Sequence, residues 1–280
     1  MLIRLGYDIE FEMASAAAMV AMLRVHPSRA ASLLKPDRLQ TDPPVPVESY
    51  NDSFGNICSR FVAPVGPFRL FCSSVIEDSG EPDPVDAGAC QDEVQDLPAE
   101  TLRFLLPSRY CEVDLMANLA EELFSDAQPG WPRVQAICSW VHRSITFGYH
   151  LARPTKTAVE VFRERGGVCR DFQHLAITFC RCMGIPARYA TGYLGDIGVP
   201  ASDVPMDFSA WFEAYLGGCW WAFDARHNTP RIGRVLIATG RDAADVAITT
   251  SFGRAPMKQF TVVTRETETD EVKQQGLLLG

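Results

Sequence analysis

Ile3, Leu5, Tyr7, Ile9 and Phe11 alternate with Arg4, Asp8, Glu10 and Glu12, the period of two that predicts a strand with one buried face. A polar, proline-rich stretch follows from Lys35 to Val47. Phe54-Gly55-Asn56 reads as a turn opening a second strand through Val62, and Phe68 to Val75 reads as a third. Glu77 to Asp96 is rich in acids, proline and glycine and reads as a linker or loop.

Beyond it the period changes. Val113, Leu115, Met116, Leu119, Ala120 and Leu123 recur at helical spacing. Trp131-Pro132 opens a second helix, with Val134, Ile137, Cys138, Val141 and Ile145 as its stripe and the proline in its first turn. Thr157 caps a short helix over Ala158 to Arg163. A fourth helix runs from Cys169 to Met183 and stops at Gly184, with Pro186 beyond. Ala187 to Leu194 is a strand. Ala210 to Leu216 and Cys219 to Asp224 form a hairpin across Gly217-Gly218. Val246 to Thr250 and Phe260 to Thr264 are further strand candidates. The order predicts an α+β chain: a β-rich N-terminal domain over 1–80, an acidic linker over 81–100, a mixed core over 101–265 and a polar tail over 266–280 that frays.

Composition narrows the function. The 280 residues are 47% hydrophobic and 22% charged, as in an ordinary globular protein. The net charge of −9 disfavours nucleic acid and anionic membrane as partners. No segment approaches the ~20 apolar residues of a membrane span. The apolar stretch Ala14 to Leu23 follows acids rather than the basic region of a secretory signal, so a cytoplasmic location is expected. Nine scattered cysteines fit a reducing compartment, and Cys180 and Cys182 lack the spacing of a zinc site. No metal or cofactor is expected, and no D-x-[DN]-x-[DN]-G calcium loop occurs.

The chemistry concentrates at Gly166-Gly167-Val168-Cys169-Arg170-Asp171-Phe172. Two glycines lead into a cysteine that opens a helix, where free N–H groups and the helix dipole favour a thiolate. Arg170 adds a positive charge. A cysteine there suits a nucleophile, and the same N–H groups suit an oxyanion. The structural alternative is a small residue buried at a helix cap. Asp171 is expected to anchor the helix start.

Five motifs occur in order: Gly167-Val168-Cys169-Arg170-Asp171-Phe172, Gly184-Ile185-Pro186-Ala187-Arg188-Tyr189, Gly192-Tyr193, Ala210-Trp211-Phe212-Glu213-Ala214-Tyr215, and Trp220 to Asp224. Together they resemble the transglutaminase-like superfamily of cysteine enzymes over roughly 130–250. The region before about residue 80 looks like the β-rich domain that precedes this core in bacterial members. The resemblance implies a papain-like core of helices on an antiparallel sheet, with Cys169 as nucleophile and Asp224 as orienting carboxylate. It implies acyl transfer or amide hydrolysis through a thioester on Cys169, with a peptide or a small amide or ester as substrate.

The resemblance breaks where the family places its histidine before Ala-Trp, because Ser209 stands there. Serine is no general base near neutral pH. With Gly217-Gly218 as the turn, Ser209 is expected to face Arg226 and Trp211 to face Asp224, which places 209, 224 and 226 on one face. His227 falls on the other face unless a turn after Asp224 redirects it, and it is the leading candidate for a relocated base. His174 is expected to point away from Cys169, His142 to sit at the surface or in helix packing, His150 in a loop and His26 in a structural role. Tyr149, Arg170, Trp211 and Arg226 are candidates for substrate binding, and Ser209 for a water or substrate contact. The alternative from another class is a non-catalytic relative that keeps the cleft for binding.

Overall fold

The computed structural model describes residues 1–201 and 206–268, so most of the tail expected to fray, 269–280, lies outside the described residues. The chain begins with β1 (Leu2–Met13), β2 (Ala17–Ala21), β3 (Leu33–Lys35), β4 (Gln40–Asp42), β5 (Glu48–Asn51), β6 (Ile57–Ala63) and β7 (Gly66–Glu77). Four helices follow, α1 (Val113–Phe124), α2 (Trp131–Ser144), α3 (Ala158–Glu164) and α4 (Cys169–Cys182). Two short strands, β8 (Thr146–Phe147) and β9 (Gly166–Gly167), flank α3 and pair in parallel. Then come β10 (Ala187–Tyr193), β11 (Ser209–Leu216), β12 (Cys219–Phe223), β13 (Val235–Gly240), β14 (Thr249–Ser251) and β15 (Met257–Thr267).

The strand and helix periods translate into elements with few changes. Ile3, Leu5, Tyr7, Ile9 and Phe11 are all buried along β1. Pro132 sits in the first turn of α2, and Thr157 and Glu160 close a capping box on α3. Gly184 ends α4 with φ +74°, a conformation that favours glycine. The small strands β2 to β5, and β13, were not resolved by pattern. β13 follows the turn-forming stretch Asn228 to Gly233, and β3 to β5 are three or four residues long, too short to show a period.

The core sheet has the order β12-β11-β10-β13 and is antiparallel throughout. Helix α4 lies on β10 and β11 and is covered by α1, α2 and α3. It is not half-exposed, as an amphipathic pattern suggests; every residue from Asp171 to Arg181 is buried. Its polar side chains therefore need internal partners. Arg181, for example, donates to the carbonyls of Ala187, Leu106 and Arg241.

The N-terminal strands build two further sheets, and both recruit the far end of the chain. β15 pairs with β1, and β14 pairs with β2. Glu266 and Thr267, at the start of the segment expected to fray, are instead the last rungs of β15, opposite Ile3 and Leu2. The expected linker is also docked. The Ala89 carbonyl accepts from Trp131 N–H at 2.9 Å, Gln91 donates to the Met183 carbonyl at 2.9 Å, and Asp83 binds Arg231 and Arg234.

Gly192 shows why the Gly-Tyr motif on β10 is tight. A Cβ there would lie 2.1 Å from the Val235 carbonyl oxygen and 2.9 Å from the Trp211 ring. Gly192→Ala is expected to cost more than ~2 kcal/mol, because β13 must move as a backbone. Urea unfolding checks this, and an unchanged midpoint would contradict it.

Candidate active site

Cys169 is the first residue of α4, and local geometry accounts for the sequence around it. β9 is held beside β8, with Gly148 N–H donating to the Gly167 carbonyl at 3.1 Å. A Cβ on Gly167 would sit 2.6 Å from Asp171 Cβ and 2.7 Å from its Oδ2, so only glycine fits. The fully buried Asp171 carboxylate accepts Val168 N–H at 3.0 Å and pairs with the Arg170 guanidinium at 2.8 Å. The expected anchoring role of Asp171 is what the structure contains.

Asp224 follows the last residue of β12 and is 5% exposed. Oδ1 accepts Arg226 N–H at 2.9 Å, His227 N–H at 3.1 Å and Gln173 Nε2 at 3.1 Å. Oδ2 pairs with His227 Nδ1 at 2.9 Å and Arg234 at 3.2 Å. Burial alone would raise this carboxyl, but the His227 hydrogen bond and the Arg234 charge hold it well below the usual carboxylate range. It is therefore an acceptor only. His227 donates through Nδ1–H, leaving Nε2 as the free acceptor of the ring.

A turn produces this pairing. The β11–β12 register runs from Leu216↔Cys219 to Phe212↔Phe223 as the Gly217-Gly218 turn requires, and then stops. Asn228 N–H donates to the Asp224 carbonyl at 2.8 Å, folding residues 224–228 back. Ser209 and Arg226 are therefore not cross-strand partners, and His227 comes round onto Asp224. His142 on α2 fastens the turn by donating Nδ1–H to the Arg226 carbonyl at 2.7 Å.

One cleft is lined by Cys169, His227, Ser209, Arg226 and Tyr149, with Asp207 and Arg231 among its other walls. Five sequence-derived candidates are thus brought together, and Asp224 stands behind His227. Two candidates are not in the cleft. Trp211 is 2% exposed and serves as a platform for Arg234, whose guanidinium lies 5.1 Å from the ring centroid. The Arg170 side chain turns away because Asp171 and the Arg153 carbonyl hold it. His174 points into the core, where it stacks on Tyr110 with centroids 4.9 Å apart and accepts Ala243 N–H.

The residues match 117–225 to the profile described as the transglutaminase-like superfamily. A candidate cysteine protease from Cytophaga hutchinsonii has a solved structure that is 32% identical, with a TM-score of 0.83, over 96% of this chain and 92% of that one. The chain belongs to the transglutaminase-like superfamily. An uncharacterised protein of Mycobacterium leprae is 28% identical over 220 residues, 75% of this chain and 77% of that protein. One from Mycobacterium tuberculosis is 25% identical over 231 residues, 75% of this chain and 73% of that protein. The fold is that of a family with cysteine-based catalysis. Among the described residues, no helix of this transglutaminase-like chain is long and apolar enough to cross a membrane.

The thiol departs from expectation. Burial pushes Cys169 up to about 11, with Arg226 and the Arg170 main-chain N–H opposing the rise and Asp207 adding to it. That favours the neutral thiol at rest, although Cys169 is only half-buried in the cleft.

Gln173 was missed by sequence reasoning. It lies one turn after Cys169, on the same face of α4. Its Nε2 reaches Asp224 and the Ala210 carbonyl, and its Oε1 accepts Ala225 N–H at 3.1 Å. It thus ties α4 to β11 and to the turn that follows β12. The i+4 spacing from Cys169 was the available signal. Arg234 and Asp83 were missed because Arg234 meets Asp224, and Asp83 meets Arg234, only in the folded chain.

Asp224→Asn is expected to destabilise the protein by about 3 kcal/mol at pH 7, since it leaves Arg234 under-compensated. A carboxyl lowered on folding stabilises above its unfolded value near ~4 and loses that contribution as pH falls further. Urea unfolding against pH should therefore show the gap between wild type and Asp224→Asn narrowing below about pH 4. A gap independent of pH would contradict the assignment.

Proposed function

We propose that this transglutaminase-like protein is a cysteine-dependent acyl hydrolase or acyltransferase, with Cys169 as nucleophile and His227 as the base in place of the histidine that Ser209 displaces. One observation carries the reading: His227 Nδ1 is 2.9 Å from the buried Asp224 carboxylate, and its ring lines the same cleft as Cys169. Nucleophile, base and orienting acid are thereby available without a residue at the family's usual position.

In the reaction Cys169 Sγ attacks the acyl carbon while its proton passes to His227 Nε2. Asp224 offsets the positive charge that forms on the imidazole. The leaving amine or alcohol takes that proton, and the acyl group stays on sulfur as a thioester. Water then gives hydrolysis, and an amine gives transfer. N–H groups of the first turn of α4 and the Tyr149 hydroxyl are the donors suited to the developing oxyanion. Because the resting group is a thiol, proton removal accompanies attack, and the base carries more of the burden than in a preformed thiolate–imidazolium pair.

The test uses p-nitrophenyl acetate as an acyl donor of low demand, with intact-protein and peptide mass spectrometry. Wild type should form an acetyl adduct on Cys169, Cys169→Ala should form none, and His227→Ala should acylate ~10²–10⁴-fold more slowly with the fold retained by circular dichroism. No adduct on Cys169 in wild type, or a His227→Ala rate equal to wild type, would overturn the proposal and favour a binding role for the cleft.

Alkylation by iodoacetamide gives a second check. In the wild-type protein the rate at Cys169 should keep rising with pH toward about 11, the value to which burial pushes the thiol. A plateau below pH 8 would show a thiolate and contradict a resting thiol.

A further inference from the structure

Two arginines line the cleft, and they differ in their commitments. Arg231 is buried, donates to the Gly195 carbonyl at 2.9 Å and lies 3.9 Å from Asp196. Among the described residues, the Arg226 guanidinium has no hydrogen-bond acceptor and no carboxylate within 4.0 Å, although Asp207 lines the same cleft. Its carbon instead lies 3.8 Å from the centroid of the Phe147 ring.

That arrangement is pre-organised. The Arg226 backbone is held on both sides, by Asp224 at its N–H and by His142 at its carbonyl. The Phe147 ring covers one face of the guanidinium and limits its freedom. Among the described residues the N–H edges carry no hydrogen bond, and they match the two oxygens of a carboxylate in a bidentate contact. Cys169 lines the same cleft, and the Arg226 charge opposes the rise of its thiol.

We infer that Arg226 is a carboxylate anchor, and that the acyl substrate carries a carboxylate next to the bond attacked by Cys169. This rests on the catalytic reading above for the word substrate, and on cleft geometry alone for the anchor. An acidic side chain and a free peptide C-terminus present the same chemistry to Arg226.

The anchor can be tested without a known substrate. Iodoacetate and iodoacetamide alkylate the same sulfur and differ in a carboxylate against a neutral amide. Any change in thiol basicity alters both rates equally and cancels in their ratio. The iodoacetate-to-iodoacetamide ratio at Cys169, read by peptide mass spectrometry, should fall about tenfold in Arg226→Gln, a change of ~1.4 kcal/mol. Arg226→Lys should fall between, because a point charge replaces the fork. A ratio unchanged in Arg226→Gln, with the variant folded by circular dichroism, would overturn the anchor.

Three matched peptides then separate the anchor from catalysis: one with a glutamate side chain and an amidated end, one with a free C-terminus, and one with neither. A lower KM for either carboxylate form in wild type, lost in Arg226→Gln, supports the anchor and names its source. Equal KM values for all three would overturn it while leaving catalysis standing. No turnover of any peptide, with no acyl adduct on Cys169, would overturn the catalytic reading, and the alkylation ratio would still decide the anchor.

Discussion

A buried negative charge organises this molecule. Asp224 has almost no contact with water, so its carboxylate survives only because donors from four places converge on it. Two come from the turn that follows it, one from the His227 ring, one from α4 through Gln173, and one from Arg234. Each donor fixes a part of the site. The turn N–H groups set the path that returns His227, the ring contact sets its tautomer, and Gln173 sets the distance from α4 to the hairpin. The candidate base is thus placed by the same bonds that make the charge tolerable.

The charge also reaches beyond the core. Arg234 is shared between Asp224 and Asp83, and the Asp83 carboxylate accepts Arg231 N–H as well. Asp83 lies in the acidic segment between the β-rich domain and the helices. That segment behaves as a strap across the back of the site, not as a spacer. Its acidic composition reads as solvated loop when taken alone, and only the folded arrangement shows that one of its carboxylates neutralises a buried guanidinium.

The parts legible in the sequence were those written in local rules. Period-two alternation marked β1, capping residues marked α3, and Gly217-Gly218 set the hairpin register that holds from Leu216 to Phe212. Two glycines before Cys169 marked the nucleophile segment, and Gly167 proves to be there because Asp171 fills the space of a side chain. The parts that were not legible depend on distant partners. Where β12 ends decides whether Arg226 faces Ser209, and that end is set by hydrogen bonds to Asp224 that no strand pattern contains. Trp211 reads equally as pocket wall or core from its alternation. Arg170 reads as a charge for the thiol until Asp171 and the Arg153 carbonyl are seen to hold it. The favourable effect of a helix N-terminus on the thiol was visible, but the burial that outweighs it was not.

The pairing of β15 with β1 has a consequence for how the chain is made. Every residue that lines the cleft lies between 149 and 231, and β10 to β12 are neighbours in sequence as well as in space. The site can therefore assemble during synthesis, once the hairpin and the turn after Asp224 have emerged. β1 lies between β7 and β15, so one of its edges stays open until the much later β15 has been made. That edge is a long template of unpaired main-chain groups, the kind that recruits other strands. Pairing of β15 closes that edge, and it also sets Phe260 against Phe208 and the Thr264 N–H against the Met206 sulfur, two residues of the cleft wall. A chain without β15 would leave that edge of β1 open and would also lack the Phe260 ring that packs on Phe208 in the cleft wall.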